Sequence, residues 1–224
     1  MASGNNFSSS LCPRYYDFAR FSKLWRKLHT PKTPELNPLY VKVNLDTIYE
    51  SDFRFYHGVP HINQGLEEFD QVKHLLENPN ELEIGWYFHD AVYDTKTKNN
   101  EEKSAEFLSC LLDKSGVLAD KIMRTSRIIR VTDHKTPPEN LDEEVIVDID
   151  LSIFGQSKEK YLWYSEEIRK EYLWVPEEQF KQGRRLILEN FLGRDRIYYT
   201  SHFRDKYESQ ARANLKSEIK RLSA

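Results

Sequence analysis

Three short stretches of this chain group side chains able to bind a cation and move a proton. They are Tyr56-His57-Gly58-Val59-Pro60-His61-Ile62, Phe88-His89-Asp90 and Asp148-Ile149-Asp150-Leu151. In the first, His57 and His61 stand four residues apart at the start of an expected helix bearing Leu66 and Phe69. That spacing puts both imidazoles on one helical face, one to hold a metal and the other to address a substrate beside it. In the second, adjacent His89 and Asp90 supply one nitrogen and one oxygen suited to a single ion. The third places two carboxylates inside the apolar run from Val145 to Phe154. Ionised carboxylates are almost never buried without a partner, and a cation is such a partner. Bland readings stand beside each: paired histidines are more often surface residues, and an amphipathic helix turns both aspartates to water.

Taken in order, the series His…His-Asp…Asp resembles the HD superfamily of metal-dependent phosphohydrolases. The segment YHGVPHI is similar to the YHNxxH motif of the cyclic-nucleotide phosphodiesterases within that superfamily. Residues 54–57, 86–94, 100–105 and 148–155 together resemble a largely uncharacterised, bacterial-type family of HD phosphohydrolases of about this size. The similarity continues through 168–172, 183–184 and 208–215, so it covers about residues 15–216.

The resemblance implies an all-helical HD fold and a metal held by His61, His89, Asp90 and Asp150. Asp150 is preferred to Asp148 because Ile149-Asp150-Leu151 fits the family's last ligand better. Asp148 is then a neighbour of the ligand shell. Two imidazoles and two carboxylates suit one divalent transition ion (Mn, Fe, Co, Ni or Zn) better than Mg. Such an ion activates a water to attack phosphorus. Asp90 counts among the catalytic residues, His57 protonates the leaving oxygen, and Arg54 contacts the phosphate. Asp94, Glu101 and His134 are weaker candidates for the outer shell or the substrate. A second ion is doubtful, because Lys135 stands where the family has a further histidine. The expected reaction is hydrolysis of a small phosphate ester, a nucleotide or a relative of one. The rival is a non-catalytic HD module that binds metal and nucleotide and acts through a protein partner.

The elements that must position these residues read as helices. Leu66, Phe69, Val72, Leu75 and Leu76 form one stripe ending at Asn78-Pro79-Asn80; Ala105, Leu108, Leu111 and Leu112 form another. Further helices are expected over 15–28, 117–130 and 145–154, around Tyr161 to Tyr172, and from Pro176 through Phe180, Ile187 and Phe191 to Gly193. Phe203, Tyr207, Ala211, Leu215 and Ile219 predict a long terminal helix. The fold class is therefore all-α: an HD-domain helical bundle with an additional C-terminal helical portion. Residues 1–13 read as a disordered lead-in and 14–224 as one domain. Trp25, Trp163 and Trp174 are assigned to the core, and His29, His74 and His202 to the surface. Arg169, Arg184 and Arg212 are expected to pair with acids such as Glu171 and Glu208 rather than with phosphate.

Composition narrows the partners. Against 36 Asp+Glu stand 33 Lys+Arg, a net charge of −3, so nothing global favours nucleic acid. No apolar run reaches the ~18 residues of a membrane span. Cys12 and Cys110 form no pair motif, which together with an N-terminus lacking a signal-peptide pattern points to a cytoplasmic setting. The expected partner is a small phosphorylated substrate, with the oligomeric state open.

Overall fold

Apolar side chains at three- and four-residue spacing wind most of the chain into helices. The computed structural model describes residues 14–29 and 36–223, so the expected lead-in at 1–13, with Cys12, lies outside the described residues. Among the described residues there are ten α-helices and no strand. They are α1 (Arg14–Leu28), α2 (Pro38–Tyr49), α3 (Val59–Val72), α4 (Pro79–Phe88) and α5 (Asn100–Lys114), followed by α6 (Ala119–Arg130), α7 (Leu141–Leu151), α8 (Lys158–Glu171), α9 (Glu177–Leu192) and α10 (Ser201–Leu222). Short 3-10 turns at Lys73–Leu75, Val131–Asp133 and Ser152–Gly155 follow α3, α6 and α7. No described helix is long and apolar enough to cross a membrane.

Local chemistry sets the helix starts. Proline occupies the first or second position of α2, α3 and α4, where its missing N–H costs nothing. Asn140 opens α7 by accepting the Glu143 N–H at 3.0 Å, while its own amide donates to the Glu143 carboxylate at 2.9 Å. The α5–α6 turn passes through Gly116 at φ 67°, a left-handed backbone that glycine adopts without strain.

One contiguous apolar cluster runs from Phe21 and Trp25 of α1 to Leu215 of α10. The expected terminal stripe is there: Phe203, Tyr207, Ala211 and Leu215 are all buried. Two corrections belong here. Trp163 and Trp174 are 40% and 52% exposed, so of the three tryptophans assigned to the core only Trp25 is in it. On α9 Phe191 is buried as expected, but Leu188 takes the inward place expected of Ile187, which faces out.

Three contacts lock the helices that matter for the site. α3 and α4 approach so closely at Gly65 that a Cβ there would lie 1.9 Å from the Trp86 ring. At the start of α7, Asp142 accepts the Glu77 and Asn78 N–H groups at 3.0 and 2.8 Å, joining it to the start of α4. Near the other end, Asp148 accepts the Tyr199 and Thr200 N–H groups at 2.7 and 2.8 Å and the Thr200 hydroxyl at 2.7 Å. That joins α7 to the start of α10.

Candidate metal centre

The crossing of α3 and α4 brings His61 and His89 together beside Trp86. His61 sits in the first turn of α3, and its ring centre lies 5.0 Å from that of the Trp86 indole. His89 directly follows α4 and stacks on the same indole at 4.2 Å with 16° between the planes. The indole is itself fixed, donating to the Ile62 carbonyl at 2.8 Å. His89 Nδ1 lies 2.8 Å from the Trp86 carbonyl. A carbonyl only accepts, so Nδ1 carries the hydrogen and Nε2 is the nitrogen turned toward the cluster.

The two Nε2 atoms face each other at 3.1 Å. Asp90 Oδ2 lies 3.0 Å from His89 Nε2 and 3.6 Å from His61 Nε2. Asp150 Oδ1, from the last turn of α7, lies 3.4 Å from His61 Nε2 and 3.8 Å from His89 Nε2. Ligand atoms each about 2.0–2.2 Å from one ion stand roughly 3.0–3.5 Å apart when adjacent, and about 4.2 Å apart across it. His61, His89 and Asp90 are all buried and meet that spacing as a triad able to hold a metal ion. Asp150 joins them through both imidazoles.

Electrostatics agree with a place that attracts positive charge. Burial alone would lower His89, but the Asp90 charge and hydrogen bond, with Asp150 behind them, push its pKa up to about 9. Burial would raise Asp90 and Asp150; the surrounding imidazoles instead hold both below the usual carboxylate range. At His61 burial wins and the pKa falls.

The outer residues sort themselves by contact. His134 Nε2 holds the second oxygen of Asp150 at 2.9 Å. Among the described residues it is the one non-glycine residue with positive φ, at 57°. Its carbonyl accepts from Arg194 at 3.0 Å and its ring meets Phe191 edge-on, contacts that hold a backbone costing about 1–3 kcal/mol. Asp148, two residues from Asp150, turns to α10 instead; its burial, only partly offset by three hydrogen bonds, raises its pKa to about 7. Asp94 is exposed and shapes the following turn by accepting the Lys96 N–H at 2.9 Å. Glu101 stands at the margin, raised by burial and by the field of Asp90.

Two expectations are corrected. His57 does not share a helical face with His61, because Gly58 is extended and α3 begins only at Val59. His57 reaches the site from the preceding turn, its ring centre 5.8 Å from that of His61. Arg54 is not free to clamp a phosphate with both arms. Its guanidinium donates to the carbonyls of His57, Asp90 and Ala91 at 3.1, 2.6 and 3.1 Å, between the rings of Tyr49 and Tyr93. It ties the His57 turn to the His89-Asp90 turn.

Two residues of the candidate site escaped the sequence reading. Glu171, at the end of α8, accepts His57 Nδ1 at 2.6 Å and the backbone N–H groups of Tyr56 and His57 at 2.8 and 2.9 Å. Tyr93 donates to the same carboxylate at 2.8 Å and stacks on the His57 ring at 4.3 Å. Burial would lower the His57 pKa; Glu171 outweighs it and the pKa rises. Arg169, expected beside Glu171, pairs with Glu177 at 3.0 Å, while Arg212 does pair with Glu208 at 2.7 Å. Comparison with protein-family models, curated proteins and solved structures finds no match for this chain.

Proposed function

We propose that the protein is a metal-dependent phosphohydrolase of the HD type, acting on a phosphate ester of a small molecule such as a nucleotide. The observation that carries this reading is the meeting of His61, His89, Asp90 and Asp150 with Nε2 atoms 3.1 Å apart. In this reading the helices around the centre form the HD bundle, and α8 to α10 form the added C-terminal portion that contributes Glu171. A bound transition ion supplies Lewis acidity toward a phosphoryl oxygen and lowers the pKa of water.

The chain's own residues supply the rest. Glu171 fixes the His57 Nδ1–H and leaves Nε2 as the atom that exchanges a proton with the leaving oxygen. The raised pKa keeps His57 protonated closer to neutral pH, the state a general acid needs. Arg54 acts one step back, holding the Asp90 and Ala91 carbonyls and so the direction of the His89-Asp90 turn. Trp86 shields the imidazoles from one side. A module that only binds nucleotide has no use for a histidine braced by a buried carboxylate, so the His57–Glu171 pair favours catalysis.

The test combines metal analysis with a substrate panel. Purified protein reconstituted with Mn or Ni should carry about one ion per chain. It should then hydrolyse at least one member of a set of nucleoside mono-, di- and triphosphates and cyclic nucleotides. A chain that takes up no transition ion overturns the ligand assignment. A loaded chain that binds nucleotides tightly and turns over none overturns the enzymatic part.

A further inference from the structure

Tyr56 holds a donor with nothing to receive its hydrogen. The residue is 3% exposed, yet among the described residues its hydroxyl has no hydrogen-bond partner. Buried hydroxyls are almost always paired, and an unpaired one in a folded protein calls for a specific explanation. Four rings fix the position of the Tyr56 ring. It is packed against Tyr164 at 4.6 Å, His61 at 4.9 Å, His57 at 5.0 Å and Trp163 at 6.1 Å. Two of those four neighbours are the imidazoles assigned to metal binding and to proton transfer.

The surroundings also say what kind of group completes it. A phenol keeps its proton at neutral pH, so the group donates a hydrogen bond. The ring touches His61, whose Nε2 lies 3.6 Å from Asp90 and 3.4 Å from Asp150, yet neither carboxylate accepts from the hydroxyl. Of the seven buried side-chain atoms without a partner among the described residues, Tyr56 OH, Arg54 Nε and His134 Nδ1 belong to residues around this centre. A donor held beside a cation centre and a general acid suits an anionic oxygen brought in from outside.

We propose that the Tyr56 hydroxyl donates to a phosphoryl oxygen of the substrate, which makes Tyr56 a catalytic residue beside His57. The proposal rests on the phosphohydrolase reading and adds to it a second protein contact on the transferred group. Arg54, bound to three carbonyls, leaves that task open.

Inorganic phosphate is the probe, titrated calorimetrically into Mn-loaded wild type and Tyr56→Phe. The variant should keep its metal content and melt no lower than wild type, since it loses an unpaired hydroxyl and keeps the ring. Its affinity for phosphate should fall about tenfold or more. Unchanged phosphate affinity in a metal-loaded Tyr56→Phe overturns the role of Tyr56 and leaves the phosphohydrolase reading intact. Loss of metal from the variant also overturns it, because a hydroxyl aimed at phosphate leaves the ligands alone. A loaded wild type that binds no phosphate at millimolar concentration overturns the phosphohydrolase reading itself. Should the variant fail to fold, 3-fluorotyrosine placed at position 56 serves instead. Its fluorine resonance should move on adding phosphate to the protein loaded with diamagnetic Zn, and a resonance that stays still overturns the contact.

Discussion

Two buried charged clusters, built from similar materials, behave in opposite ways. Between α8, α9 and α10, Arg184 and Glu218 form an ion pair at 3.0 Å, 8% and 3% exposed. Arg184 also donates to the Tyr164 hydroxyl at 3.1 Å, and Tyr161 donates to Glu218. One positive charge meets one negative charge, and their polar atoms are answered within the protein. Between α3, α4 and α7, two carboxylates converge on two imidazole nitrogens that face each other. There two carboxylates share the imidazoles, and the charge that its raised pKa gives His89 answers only one of them. A closed cluster holds helices together; a cluster with a surplus of one sign is suited to a ligand.

That contrast can be broken by four experiments. Asp90→Ala should abolish metal binding, taking the content from about one ion per chain to none and removing all hydrolysis. Retention of the ion would dissolve the distinction at once. His57→Ala should keep the ion and lose about 10²–10⁴-fold in kcat, which separates the proton-transfer histidine from the ligating ones. Loss of the ion instead would exchange the roles of His57 and His61. Glu218→Ala should do the reverse of Asp90→Ala. It leaves Arg184 buried and unpaired, at a cost of about 3–5 kcal/mol, or roughly 6–20 °C in melting temperature. Its metal content should be unchanged. The smallest effect is expected at His134. His134→Ala and His134→Gly should both weaken metal affinity about 10–100-fold by freeing Asp150, but Gly should melt higher because it accepts the left-handed backbone. Equal melting with unchanged affinity would make the His134–Asp150 contact incidental.

Much of the framework was legible because helical periodicity is a local signal. Leu66, Phe69 and Val72, or Phe203, Tyr207, Ala211 and Leu215, announce their buried faces without reference to the rest of the chain. His89, Asp90 and Asp150 were legible through the order of their motifs, and the structure brings them to His61. Glu171 was not, since it meets His57 across 114 residues and no short-range pattern encodes such a contact. The misplaced helix start at His57 did have a local signal: Gly58 and Pro60 mark a chain entering a helix, and the four-residue spacing of the histidines outweighed them. Trp163 and Trp174 were misassigned because size and apolarity predict burial only on average, while position on α8 and beyond decides it. Arg54 was misread for a different reason. A guanidinium serves carbonyls as readily as phosphates, and only the packing of two turns shows which it has met.

The close approach at Gly65 turns the candidate metal centre into a problem of clearance. Trp86 lies against His89 on one side and against α3 on the other, with no allowance for even one methyl group at position 65. The indole that backs His89 and touches His61 therefore has a fixed clearance from α3, much as a wall sets the depth of a recess. The seating of both imidazoles depends on a missing side chain as much as on the rings that touch them. Residue 65, which coordinates nothing, belongs to the tolerances of the site.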